Sequence, residues 1–297
     1  MNRTHTRPGH VAQAIRWRQS KAMQDRLTRG LVRLVLVVIG VTFMLPFYWM
    51  LSTSLKPDAQ LAVYPPVWAP HPLMWSNYVD AVTEQPFFLY LRNTLIICAV
   101  TLVGVVFSSS VCAYGFSRIS WRGRNILFFL MLSTLMLSYQ VTMIPLFVLF
   151  SKVFHWINTF YPLTVPAFGG DAFSIFLLRQ FFMGIPRELT DAAVIDGANE
   201  WRIFTRVILP LAKPALAAVA LFNFTGTWND FLNPLIYIND SNKFTLTLGL
   251  YSFLGDHASQ WQLLYASAVL ITIPPLILFF FAQKTFIQGI ALSGIKG

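Results

Sequence analysis

The chain has 297 residues, 56% of them hydrophobic and 11% charged, with a formal charge of +10. Soluble domains carry about 25% charged residues, so the composition excludes an ordinary soluble enzyme and points to an integral membrane protein. The basic excess does not indicate nucleic acid, because lysines and arginines gather in the N-terminal tail and in alternate connections, the pattern that orients a membrane protein.

Residues 1–30 form a basic tail. The apolar run after it is too long for the core of a signal peptide, so it is expected to remain as the first transmembrane helix, near 31–51. The connection 52–92 holds Pro57, Pro65, Pro66, Pro70 and Pro72 with Trp68 and Trp75 among them. Proline blocks regular helix and tryptophan favours the interface, so this connection reads as a folded cap on the outer face. Further spans are expected near 94–115, 125–150, 160–182, 214–238 and 262–284, the first, third and last of the six being the clearest. Pro162, Pro166, Gly169, Gly170 and Asp171 interrupt the start of the fourth, which places the Gly-Gly region as irregular and near a surface. Cys98 and Cys112 lie within the second span, at a spacing that suits neither a disulfide framework nor a zinc site. Alternate segments carry 18 Lys and Arg on one side against 4 on the other. Both termini and the 183–213 loop are therefore expected in the cytoplasm.

That loop is the most specific feature. Pro186 suits the first turn of a short helix whose Ala192, Ala193 and Ile195 offer a small-residue face. Asp196-Gly197 signals a turn, and Asn199 with Glu200 opens a second helix. Trp201, Phe204 and Ile208 then recur as one apolar stripe before Leu209-Pro210 ends the helix. Pattern alone also fits an amphipathic hairpin resting on lipid. The stretch Asp191-Ala192-Ala193-x-x-Asp196-Gly197-Ala198, followed by Phe204, Leu209-Pro210 and Pro214, resembles the signature loop of permease subunits of binding-protein-dependent ABC importers. Where that family usually begins the motif with Glu, this chain has Asp191, one methylene shorter. Ser54-Leu55-Lys56, Tyr64-Pro65-Pro66, Ala113-Tyr114, Trp228-Asn229-Asp230-Phe231-Leu232 and the tail from Phe286 to Gly297 resemble its carbohydrate branch, and more narrowly the second permease of a maltose- or glycerol-phosphate-type heterodimer.

The resemblance implies an all-α integral membrane protein with six transmembrane helices in the type I ABC importer permease fold. Residues 31–285 would form the permease domain and 286–297 a cytoplasmic tail, which, ending in small residues, is expected to touch the ATPases as well. It implies a plasma-membrane location, a homologous second permease, two ATPase subunits docked on the 188–214 loop, an extracytoplasmic solute-binding protein and a sugar as cargo. Asp191, Ala192, Ala193, Asp196, Gly197, Ala198, Phe204 and Pro210 would carry the ATPase coupling.

The chemistry in the residues themselves is sparse. No G-x-x-x-x-G-K-[ST], H-E-x-x-H or G-x-S-x-G pattern occurs, so no catalytic residue is expected, and ATP and Mg would be bound by the partner ATPases rather than as cofactors of this chain. His5, His10, His71, His155 and His257 fall in the tail or in external connections and suggest no metal site. Polar groups in lipid are costly unless they face a cavity or a partner. Asn223, Thr227 and Asp230 on span five, stacked on one face, and Tyr139 and Gln140 on span three are candidates for the substrate path, with Trp228 and Tyr139 stacking on sugar rings. The same groups suit hydrogen bonding to a sister permease. Asp230 also fits a proton-coupling carboxylate, and a stand-alone ion-driven carrier or channel remains the rival from another class. An intramembrane enzyme would need paired catalytic residues.

Overall fold

A computed structural model describes the backbone of residues 9–256 and 260–294 and the side chains of 27–253 and 260–282. The tail arginines before residue 27, and the side chains of the Phe286–Gly297 tail, lie outside these described residues. Among the described residues, four helices are long and apolar enough to cross a membrane, and two bent helix pairs raise the number of candidate spans to six.

Helix α1 (Gly9–Ser54) contains the first span, Leu27–Ser54. Its apolar side chains point outward on every side, as suits lipid or a partner. The connection after it is folded. Helix ends leave carbonyls without partners, and here Asn77, on α2 (Ser76–Thr83), donates to the carbonyls of Ser54 and Lys56 at 2.9 and 3.0 Å. Ser52 Oγ donates to the Trp68 carbonyl at 2.5 Å. The Lys56 ammonium lies 3.9 Å from the centre of the Trp49 ring, where burial lowers its pKa below the ordinary lysine value.

Helix α3 (Phe87–Ser117) is the axis of the bundle, about 46 Å long at 1.5 Å per residue. At the cap end Asn93 donates to the carbonyls of Asn242 and Phe244, at 2.9 and 3.0 Å. There too the Leu246 amide donates to Thr94 Oγ1 at 2.9 Å.

The third span, expected near 125–150, is broken at Leu137 and Ser138. Helix α4 (Arg124–Ser133) passes through a 3-10 turn, Thr134–Met136, to extended backbone at Leu137 and Ser138. Helix α5 (Tyr139–Val148) then leaves at 97° to the first half. Ser133 and Thr134 hydroxyls bond back to the Leu130 and Met131 carbonyls at 2.7 and 2.6 Å, a pattern that bends helices.

In the fourth span α6 (Tyr161–Thr164) and a 3-10 turn, Val165–Gly169, precede α7 (Ala172–Gly184). The Gly-Gly region is irregular, as its residues suggested, with Gly169 exposed and Gly170 half-buried. It packs along Gly104–Ser109 of α3, roughly 12–20 Å from that helix's far end. Gly104 permits the approach, since a Cβ there would meet the Phe168 ring at 3.0 Å and the Ala167 backbone at 3.2 Å. Asp171 closes the break: its carboxylate accepts from the Ser174 amide at 2.8 Å and hydroxyl at 2.6 Å.

Next come α8 (Arg187–Ile195), α9 (Glu200–Ile203), a π turn at Phe204–Ile208, α10 (Leu209–Leu211) and α11 (Lys213–Trp228), with a 78° bend between Glu200–Leu211 and α11. Helix α11 stops at Trp228, and α12 (Leu232–Tyr237) follows a break at Asn229–Phe231. Asp230 therefore does not continue the face of Asn223 and Thr227, as the spacing suggested. Pro234 has no N–H for the carbonyl four residues back, which is that of Asp230. Thr247 Oγ1, on α13 (Leu246–Asp256), donates to that carbonyl at 2.7 Å instead.

The same device recurs on α14 (Trp261–Gly294). Pro275 cannot donate to the Ile271 carbonyl, and the Trp228 indole Nε1 does so at 3.1 Å. Near this site Gly249 lies against Tyr90, where an added Cβ would fall 2.3 Å from the ring. Gly249→Ala is expected to cost about 1–3 kcal/mol by overpacking, read as a lower thermal midpoint in detergent. An unchanged midpoint would mean that Tyr90, which is 5% exposed, moves aside freely.

Candidate functional site: a hairpin at one end of the bundle

The α8–α9 hairpin is built by its own sequence. Pro186 precedes α8, and Asp196 closes it. Gly197 then adopts φ +76°, the left-handed conformation that glycine takes without strain. The Gly197 amide donates to the Val194 carbonyl at 3.0 Å and the Ala198 amide to the Ala193 carbonyl at 2.9 Å. This pair of bonds is a Schellman end with glycine at its left-handed position. Asn199 caps α9 by accepting from the Arg202 amide at 2.9 Å.

The loop residues divide between two faces. Ala193 and Ala198 are half-buried against the core, and Phe204 and Ile208 are buried in it. Trp201 departs from the expected stripe: it is exposed, with its ring 5.5 Å from that of Phe204. Asp191, Ala192, Asp196, Gly197 and Pro210 are exposed. Leu189, Val194 and Ile195 project with Asp191 and Ala192, and Ile195 is 86% exposed.

Helix α3 anchors the hairpin. Arg118, just past the helix end, donates from Nη2 to the Ile185 carbonyl at 2.6 Å and to the Phe182 carbonyl. Burial, then the charge of nearby Arg187, lowers the Arg118 pKa below the ordinary arginine value. The Tyr114 hydroxyl donates to the Glu200 carboxylate at 2.5 Å, and its ring packs 5.1 Å from that of Phe204. These long-range pairs were missed by the sequence reading, which had singled out Tyr114 and Glu200 only separately.

The polar groups of the spans lie in two places. Thr101 Oγ1, on α3, is 3.4 Å from both Asn223 Oδ1 and Thr227 Oγ1, so both side chains turn toward a helix of this same chain. Tyr139 donates to Asn233 Oδ1 at 2.5 Å, and Asn233 Nδ2 to Asp230 Oδ2 at 2.8 Å, which joins the broken third span to the segment after α11. Gln140 is exposed beside Ser138 at the break. Trp228 is not available to stack on a sugar: it is 1% exposed, with its ring 5.3 Å from that of Phe224.

Residues 104–292 match the family described as binding-protein-dependent transport system inner membrane component. The chain belongs to that family. Its similarity to curated permeases extends over almost the full length. It is 33% identical over 282 residues to the arabinooligosaccharides transport system permease protein AraQ of Bacillus subtilis, covering 92% of this chain and 98% of that one. It is 31% identical to the diacetylchitobiose uptake system permease protein NgcG of Streptomyces coelicolor, covering 93% and 91%. To the trehalose/maltose transport system permease protein MalG of Thermococcus litoralis it is 30% identical, covering 92% and 99%. Among solved structures, a bacterial ABC transporter involved in the import of the acidic polysaccharide alginate has a chain of the same fold, with a TM-score of 0.78 at 24% identity, covering 89% of this chain and 98% of that one. The chain is thus a multi-pass permease component of a binding-protein-dependent ABC transporter, and the stand-alone carrier reading is set aside.

Proposed function

We propose that this permease component imports a carbohydrate, paired with a homologous permease and driven by two ATPase subunits docked on the exposed face of the α8–α9 hairpin. The single observation behind this reading is the hairpin itself: a glycine-capped turn with Asp191, Ala192 and Ile195 outward and Ala193, Ala198 and Phe204 anchored in the bundle. Such a face engages a partner while its root transmits motion to the helices. The carbohydrate assignment draws on the relatives, whose names specify oligosaccharide transport. ATP and Mg are bound by the ATPases. An extracytoplasmic binding protein delivers the solute to the cap end, and ATP-driven closure of the ATPases moves the hairpins and reorients the spans in alternating access. Both termini and the hairpin are cytoplasmic, in line with the charge asymmetry.

Asn223, Thr227, Tyr139, Gln140 and Asp230 are proposed to line the path. Hydroxyl-rich solutes need donors and acceptors there, and Gln140 is exposed at the break of a span. Uptake of labelled oligosaccharides into proteoliposomes holding the whole complex tests this. Uptake should need internal ATP and the binding protein. Gln140→Ala and Asn223→Ala together should raise the half-saturating solute concentration by about tenfold, the effect of losing one or two hydrogen bonds. Unchanged affinity and rate in the double variant would remove these residues from the path.

A further inference from the structure

We propose that Tyr114 and Arg118 make the last turn of α3 the strut through which movement of the hairpin reaches the membrane. This rests on the proposed docking of ATPases at the hairpin. The two residues are four apart, so they share one face of the helix end. They hold the hairpin from both sides. Arg118 grips the carbonyls of Phe182 and Ile185, immediately before α8, and Tyr114 grips Glu200, immediately after the α8 turn. The Tyr114 side chain is buried and Glu200 is exposed, so the bond runs from the packed interior to the moving surface element. Phe204 packs beside Tyr114 and carries the same connection in apolar contact.

Displacement of α8 and α9 therefore either carries the end of α3 with it or breaks these bonds. Helix α3 extends this effect across the bundle. At its opposite end Asn93 and Thr94 bind the backbone of Asn242, Phe244 and Leu246, the segment that leads into α13 and, through Thr247, holds the Asp230 carbonyl. No proline lies within α3, whereas proline occurs inside α1, α5 and α14. An uninterrupted helix of this length transmits a push where a kinked one bends. Arg118 Nε is buried without a hydrogen-bond partner, as is Thr190 Oγ1 on α8. Tyr114 and Arg118 are thus positioning residues, acting through the hairpin they hold.

The test is the ratio of solute moved to ATP hydrolysed by the purified, reconstituted complex. Tyr114→Phe keeps the ring against Phe204 and removes only the hydroxyl. The complex should assemble and hydrolyse ATP, while solute moved per ATP falls about tenfold, as for loss of one hydrogen bond to a charged group. Glu200→Ala should match it, and Tyr114→Phe with Glu200→Ala should be no worse than either alone. Glu200→Gln still presents a carbonyl acceptor and should restore most of the ratio. An unchanged ratio in the single variants, or additive losses in the double variant, would overturn the strut. If the wild-type chain binds no ATPase, the docking proposal fails instead, and that outcome is read from the wild type alone.

Discussion

Gly197→Val is expected to abolish most coupled transport, whereas Gly197→Asn should retain it. The reason is backbone geometry. Gly197 holds φ +76°, and the two capping bonds that end α8 depend on that conformation. A left-handed conformation costs an ordinary L-residue about 1–2 kcal/mol, more for a β-branched one, while asparagine tolerates it. No atom lies within 4 Å of a Cβ built on Gly197, so crowding within the chain contributes nothing. A penalty of that size lowers the population of the docking-competent hairpin by about 5–30-fold, and ATP-dependent uptake should fall with it. The bundle itself should stay folded, since the turn is exposed. Equal uptake by the two variants, assayed at equal amounts of complex, would show that the left-handed turn is not what the ATPase recognises.

Trp228→Ala should be the most damaging single change to stability. Trp228 packs with Tyr90, Cys98, Leu246 and Ile271, and its indole satisfies the carbonyl that Pro275 leaves free on α14. Removing a buried tryptophan costs about 3–5 kcal/mol. Trp228→Phe keeps most of the packing and leaves the Ile271 carbonyl unpaired, for about 1–3 kcal/mol. Thermal unfolding in detergent should rank wild type above Trp228→Phe and Trp228→Ala last, with solute affinity unchanged in the folded fraction. A stable Trp228→Ala with weakened solute binding would return Trp228 to the role of a sugar platform.

Much of the fold was legible because bilayer thickness imposes long apolar runs, and because glycine, proline and capping residues punctuate locally. The hairpin is the best case: Pro186, Asp196-Gly197 and Asn199 each act within a few residues, and each sits where the sequence reading put it. The broken third span was not legible. Nothing in an apolar stretch announces that Ser133 and Thr134 will bond back onto their own helix rather than to a neighbour. The misplacement of Asp230 has a plainer source. Helical spacing was extended past Trp228, where α11 ends, and Thr247, which holds the Asp230 carbonyl, is distant in sequence. Trp228 was read as a ligand surface because an aromatic beside polar residues fits that role as well as a buried one does. Only packing separates the two. The same holds for Tyr114 and Glu200, 86 residues apart and joined only by folding.

The most direct measurement is affinity purification of the tagged full-length chain from membranes of its own cells in mild detergent, followed by assay of ATP hydrolysis and ATP-dependent solute uptake after reconstitution. The account predicts that a second permease and an ATPase copurify, that uptake requires both ATP and the binding protein, and that Gly197→Val loses the ATPase or its coupling. A chain that purifies alone and still moves solute in liposomes under an ion gradient would contradict it.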